Sequence, residues 1–204
     1  RFDAVLADLT AAGIEVPCTH AANTAATLDH PEARRGLVRC GIGIYGLDPA
    51  PALAGRVPLR PALSLHARVS HVKRVAAGEG ISYGLRYRPT QETTIATVPL
   101  GYADGLPRRL GALGGTVLIG GTPRPIAGSV TMDQILVDCG DDPVEVGDEV
   151  VLLGRQGAAA IGAEDWAELL GTISYEIVVG IGSRVARVEV EEACRAGEAL
   201  GGAA

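Results

Sequence analysis

A proline- and glycine-rich stretch, Leu47-Asp48-Pro49-Ala50-Pro51-Ala52-Leu53-Ala54-Gly55, divides the chain into two parts whose hydrophobic patterns demand different folds. Before it, helical and strand spacings alternate. Phe2, Val5, Leu6 and Leu9 recur at helical spacing, with Gly13 as a stop, and residues 14–18 form a short apolar run read as a strand. That run ends in a polar cluster at 19–24. Residues 25–37 accommodate a second, short helix, and residues 38–46 read as a buried strand running into a glycine-rich loop. Polar groups placed just after successive strands in a βα succession are the pattern of the catalytic face of a β/α barrel, and two such units cannot close one. Beyond the divide, β-branched runs at 63–75, 93–99, 116–119, 134–137, 149–153 and 184–190 are punctuated by Gly and Pro. They predict a mostly antiparallel β domain of barrel or sandwich type, interrupted by one helix at 163–170. The expected organisation is α/β plus β: residues 1–50 from a β/α barrel, residues 58–192 as the β domain, and a small-residue tail at 193–204 that frays.

Charge and composition narrow the function. The formal charge is -6, aromatics make up 3% of residues, and no basic stripe is present, which argues against binding nucleic acid through phosphates or stacked bases. No run approaches the roughly 18–20 apolar residues that cross a bilayer, so neither membrane nor export is expected. Cys18, Cys40, Cys139 and Cys194 are scattered without CxxC pairing, so no metal site and no disulfide framework is expected, and a reducing cytoplasm is the natural setting. A small-molecule ligand fits this profile best. Of the 18 basic residues only Lys73 is a lysine, so chemistry that needs a lysine has one candidate.

Four motifs carry possible chemistry. In Arg39-Cys40-Gly41-Ile42-Gly43, small residues let backbone N–H groups approach an anion, although glycines at a strand end are also ordinary turn chemistry. His20-Ala21-Ala22-Asn23-Thr24 closes the preceding strand and reads, taken alone, as a capping turn for the next helix. Ile81-Ser82-Tyr83-Gly84 sets a tyrosine among small residues, a pattern that equally suits a half-buried packing residue. The loop 100–109, with Gly101-Tyr102-Ala103-Asp104-Gly105 at its centre, combines tyrosine, charge and glycine in the way functional surface loops do.

Taken together and in this order, HAANTAA, VRCGIGIYGL, GISYG, PLGYADGLPR, IAGSVTMDQ and TISYEIV closely resemble the C-terminal half of bacterial alanine racemases, from about residue 14 to about residue 190. The resemblance implies the last units of a pyridoxal-phosphate-binding (β/α)8 barrel followed by a β-barrel-like C-terminal domain. It implies interconversion of L- and D-alanine, which supplies D-alanine for peptidoglycan, with pyridoxal 5'-phosphate as cofactor and alanine as substrate. The tyrosine of the family's SYG motif is one of two catalytic bases and falls on Tyr83. The other base is the lysine that anchors the cofactor. Racemisation needs a proton removed from one face of Cα and one returned to the other, and a free phenol with pKa near 10 needs nearby positive charge to act as a base.

By the same resemblance Arg39 faces the cofactor's pyridine nitrogen. Being always protonated, it leaves that nitrogen without a proton and weakens the electron sink. His20 orients Arg39. Thr24, the backbone amides of Gly41 and Ile42, and the Tyr175 hydroxyl hold the phosphate, while Tyr102 and Met132 lie near the substrate carboxylate. With Arg108 and Ile173 they shape a narrow entry. The family pattern is a head-to-tail homodimer in which one subunit's β domain covers the other's barrel mouth, so that Tyr83 serves the partner's cofactor.

Three departures stand out. The family's cofactor lysine lies on the first barrel strand, in a segment without counterpart in these residues, and Lys73 reads as a solvated strand residue. These 204 residues by themselves are therefore expected to be catalytically inactive. Ser129 stands where relatives commonly carry arginine, and Val179-Gly180 with Ala186 depart from a terminal segment that is often polar. Two other readings compete with an alanine racemase: a non-catalytic β-domain dimerisation or binding module, and an amino-acid racemase of broader range that also takes serine.

Overall fold

The computed structural model describes residues 1–190. Its first helix, α1 (Phe2–Ala11), forms as its apolar spacing predicts but buries none of its residues. Arg35 instead caps it from outside, pairing with Asp3 at 2.6 Å and lying 5.4 Å from the Phe2 ring centroid. The strand expected at 14–18 is not formed. Pro17 interrupts that run and cannot donate to a ladder, and the strand lies instead at β1 (His20–Asn23). Helix α2 (Thr24–Asp29) follows at once, capped by the Asn23 side chain, which accepts from the Ala26 N–H at 3.0 Å. It ends far short of residue 37 because Pro31 disfavours helical backbone at His30 and opens a separate 3-10 turn, Pro31–Ala33. Strand β2 (Leu37–Arg39) then pairs parallel to β1, His20 opposite Leu37 and Asn23 opposite Arg39. One βαβ unit thus delivers the ends of both strands to the same side. The glycine-rich sequence after β2 coils into a 3-10 turn, Ile42–Tyr45, rather than extending as a strand.

Ile42 and Leu47 are buried in the main core of the β domain, which fastens the βαβ unit to it. Gly46 makes the joint possible. Its φ is +76°, and a Cβ there would fall inside the Arg60 carbonyl group, where the connector returns and Ala62 N–H donates to the Tyr45 carbonyl at 3.0 Å.

The β domain is built from β3 (Leu65–Arg68), β4 (His71–Val75), β5 (Thr93–Val98), β6 (Thr116–Ile119), β7 (Thr122–Pro125), β8 (Ile135–Gly140), β9 (Glu149–Gln156) and β10 (Ala159–Ile161), with helices α3 (Ala163–Leu170) and α4 (Ser174–Gly180). Every pairing among these strands is antiparallel. β9 pairs with β3, β6 and β10, and β6 with β7, while β4, β5 and β8 make a second sheet. A bridge between Ile126 and Val137 joins the two sheets, so the domain is barrel-like without closing a barrel. The run at 63–75 splits at Val69, whose N–H donates to Asp148 and whose carbonyl accepts from Gly147, and each half enters a different sheet. Strand β8 alternates buried and half-buried side chains, as a strand with one face on the core does.

Leu106, Leu110, Leu118, Ile135, Leu152 and Trp166 fill the core, each at most 2% exposed. Full burial of such a side chain stabilises by about 1.5–3 kcal/mol. Strands β7 and β10 and helix α4 were not anticipated; β7 carries Pro123 and Pro125, tolerable only because it is an edge strand paired to β6 alone. No strand forms at 184–190, where Val188 and Val190 are exposed and Arg187 donates to the carbonyls of Ile181, Gly182 and Val185. The tail at 193–204 lies outside the described residues.

Candidate active site

Two constellations gather the sequence-marked residues. The first sits at the ends of β1 and β2. Thr24, buried at the start of α2, accepts a hydrogen bond at 2.9 Å from the Gly41 N–H just past β2. A Cβ on Gly43 would lie 2.7 Å from the Thr24 methyl, whereas nothing stands within 4 Å of the corresponding position on Gly41. The amides of Ile42 and Gly43, which begin the 3-10 turn, have no acceptor among the described residues, as expected of the first donors of a helical turn. Gly41, Ile42 and Tyr175 line one cavity of about 990 Å³ together with Leu63, Ile161 and Val178. Arg39 donates from one guanidinium nitrogen to His20 Nδ1 and from the other to the Ala21 carbonyl at 3.4 Å. Since guanidinium only donates, Nδ1 is the acceptor nitrogen of the His20 ring.

The second constellation lies on the β domain. Tyr83 stands 75% exposed on a turn whose backbone takes positive φ at Ser82 (64°), Gly84 (73°) and Leu85 (48°). Such values are strained for residues with a Cβ and persist only where surrounding contacts hold them. The Ser82 hydroxyl donates to the Ser129 carbonyl and accepts from the Ser129 N–H, both at 3.1 Å, and the Ser129 hydroxyl reaches the Tyr83 carbonyl at 3.4 Å. Gly128 permits this approach, for a Cβ there would lie 2.7 Å from that of Ser82. Two residues further on, Thr131 and Met132 accept from the N–H groups of Tyr102 and Ala103 at 2.9 and 3.0 Å. The segment 127–134 therefore holds the Tyr83 turn on one side and the Tyr102 turn on the other. Tyr102 and Met132 are exposed side by side, and Arg184 braces the region by pairing with Asp133 at 2.9 Å and Asp104 at 3.5 Å.

Tyr83, Tyr102 and Met132 line no part of the cavity at Gly41, Ile42 and Tyr175. Arg108 and Ile173 are exposed. Lys73 is a solvated residue of β4, 3.4 Å from Glu79, as the sequence predicts. Among the described residues no His, Cys, Asp and Glu group could hold a metal ion, and no helix is long and apolar enough to cross a membrane.

Sequence reasoning missed one pair. Beneath the Tyr83 turn, the Tyr87 hydroxyl donates to Asp138, whose other oxygen accepts from Thr93 and from the Gly140 N–H at 2.9 Å. A carboxylate in the apolar run Ile135-Leu136-Val137-Asp138-Cys139 was the available signal, since a half-buried charge needs partners. Burial pushes the Tyr87 phenol up, aided by its bond to Asp138, to about 12. For Asp138, burial raises the pKa, but the bonds from Thr93, Tyr87 and Gly140 and the charge of Arg124 outweigh it and hold the carboxyl below its ordinary range. A depressed folded pKa gives stability that is complete above the unfolded value of about 3.9 and is lost as pH falls through the folded one. A raised phenol pKa gives stability that is complete below about 10 and is lost towards 12. Urea midpoints measured across pH should therefore fall at both ends. Asp138→Asn should lower the midpoint at neutral pH and flatten its fall in acid; an unchanged acid limb would contradict this account.

The sequence matches the family description "Alanine racemase, C-terminal domain" over residues 62–189 and "Alanine racemase, N-terminal domain" over residues 1–49. The chain belongs to the alanine racemase family. Among curated alanine racemases, that of Symbiobacterium thermophilum is 53% identical over 188 residues, 92% of this chain and 50% of its own length. Alanine racemase from Streptomyces coelicolor A3(2) superposes with a TM-score of 0.87 at 46% identity, covering 94% of this chain and 50% of that one. The Bacillus anthracis alanine racemase structure with bound L-Ala-P gives 0.84 at 45%, covering 90% and 47%. The chain spans about half the length of the curated alanine racemases it matches. The gap between the two matched alanine racemase segments, 50–61, overlaps the second half of the proline-rich connector, 47–55.

Proposed function

We propose that these residues form the part of a pyridoxal-phosphate-dependent alanine racemase that carries the tyrosine base, Tyr83, together with the seat for one end of the cofactor. The observation that carries this reading is Tyr83 itself: a phenol held outward on a strained turn by two serines, with little packing role to justify the strain. The cradle at the ends of β1 and β2 fits the cofactor's phosphate. Of the two amides that the family pattern marks, that of Gly41 is engaged by Thr24 while that of Ile42 has no acceptor among the described residues. With the Gly43 amide beside it, open space next to Gly41 and Tyr175 on the same cavity, the cradle offers what an anion of that size requires. Thr24, bonded to the Gly41 amide, would turn its hydroxyl proton outward as a further donor. Arg39, oriented by His20, would donate to the pyridine nitrogen.

When bound, the cofactor supplies an electron sink that acidifies the Cα–H of an amino acid. Tyr83 would then deliver or remove the Cα proton on one face, with the anchoring lysine of the family serving the other. Tyr102 and Met132, exposed beside the Tyr83 turn, would stand near the substrate carboxylate and, with Arg108 and Ile173, narrow the entry to an amino acid as small as alanine. Because Tyr83 and the cradle share no cavity, we assign them to two active sites in a head-to-tail homodimer, each completed by the partner. A cytoplasmic enzyme making D-alanine for peptidoglycan is the physiological reading.

The test is to join these residues to a family N-terminal half that carries the cofactor lysine. The joined chain is expected to dimerise, bind pyridoxal phosphate, and racemise L-alanine in preference to L-serine. The 204 residues alone, with Lys73 paired on β4, serve as the inactive control. A joined chain that folds and binds the cofactor without racemising either amino acid would sink the proposal and favour a binding module.

A further inference from the structure

The turn that presents Tyr83 is a five-residue loop, 82–86, closed where Ile81 N–H donates to the Tyr87 carbonyl at 2.9 Å. Among the described residues only Arg35, Ser82 and Leu85 take positive φ without being glycine, and two of the three lie in this loop. A backbone so far from its relaxed conformation opens unless both its ends are fixed. The leading end is fixed by the paired bonds between Ser82 and Ser129. At the trailing end the backbone is tied only by the single bond from Ile81 N–H to the Tyr87 carbonyl, with no paired lock like that of Ser82 and Ser129. That end rests on the Tyr87 side chain, whose ring packs against Val75, Ile81, Ile95 and Ala127, a cluster separate from the main core, and whose hydroxyl reaches Asp138. Asp138 is in turn immobilised on β8 by Thr93 and the Gly140 N–H.

We propose that Tyr87 and Asp138 are positioning residues for Tyr83, holding the strained turn from below so that its phenol keeps one orientation towards the reacting carbon. The proposal rests on Tyr83 acting as the base. The pair does not touch substrate or cofactor; it acts by denying the loop its relaxed backbone. The phenol of Tyr87 remains a neutral donor across the working pH range, since its pKa is pushed up to about 12, so the latch does not open by titration of its donor.

Hydrogen exchange resolved to single amides tests this in the 204-residue chain. Tyr87→Phe keeps the ring and removes one hydroxyl; Asp138→Ala removes the acceptor. Val151→Ala, in the buried centre of β9, lowers global stability without touching the loop. In both latch variants the hydrogen-bonded amides of the loop, Ile81 and Leu85, should speed up about tenfold more than those of β6 and β9, which report any shared loss of global stability. In Val151→Ala the loop should show no selective gain. In a joined, racemising chain Tyr87→Phe should lower kcat about tenfold with KM unchanged, the signature of a misplaced base rather than of lost binding. Unchanged loop exchange in both latch variants would overturn the proposal, as would a loosened loop with undiminished kcat. A loosened loop in a joined chain that never racemises would leave the latch standing and remove the function built upon it.

Discussion

Replacing Tyr83 with phenylalanine in a racemising chain is expected to lower kcat by about 10²–10⁴-fold, the usual contribution of a positioned acid-base group, with KM for alanine nearly unchanged. The ring is three-quarters exposed, so its loss of one hydroxyl should leave stability within about 0.5 kcal/mol. That separates a chemical defect from a folding defect. The isotopic consequence is sharper. With the tyrosine face disabled and the lysine face intact, alanine of one configuration should still exchange its Cα hydrogen with deuterated solvent while inversion almost stops. Equal loss of exchange and inversion, or activity within about tenfold of the parent, would remove Tyr83 from its role.

Gly46→Ala carries the largest expected effect on folding. A Cβ there meets the carbonyl of Arg60, backbone rather than a flexible side chain, and the φ of +76° adds its own strain. The segment can relieve the clash only by drawing away from the returning connector, which pulls Ile42 and Leu47 out of the core and displaces the Gly41 amide from Thr24. We expect a loss of about 3 kcal/mol or more in urea unfolding. Gly55→Ala is the matched control: its φ is +73°, nothing lies within 4 Å of the added carbon, and the expected cost is about 1 kcal/mol. Equal losses at the two glycines would show that the close approach at Arg60 is not maintained in solution.

The change of hydrophobic period at the connector made the two-part organisation legible, and helix α3 and strand β6 fall where periodicity puts them. What failed were boundaries decided by backbone chemistry. Pro17 and Pro31 moved a strand and cut a helix, because a missing N–H and a crowded preceding residue override apolar spacing. The 184–190 run has the composition of a strand but pairs with no strand among the described residues, and Arg187 takes up the carbonyls of 181, 182 and 185 instead. For the site, the motif residues were all visible in sequence, yet their division into two constellations was legible only through the family resemblance. Tyr87 and Asp138 stayed hidden since 51 positions separate them, and nothing in either local pattern announces the other.

The segment 127–134 grips the Tyr83 turn through Ser129 and the Tyr102 turn through Thr131 and Met132. With the roles proposed for Tyr83, Tyr102 and Met132, chemistry and substrate entry are mounted on one short template, and their evolution is expected to be coupled. A library that shifts the backbone at Met132 should also tilt the Tyr83 turn, so that in a racemising chain gains in substrate range and losses in rate are expected to arrive together. Compensating changes should then accumulate at 128 and 129, and combined variants should depart from additivity, as expected of residues that share partners.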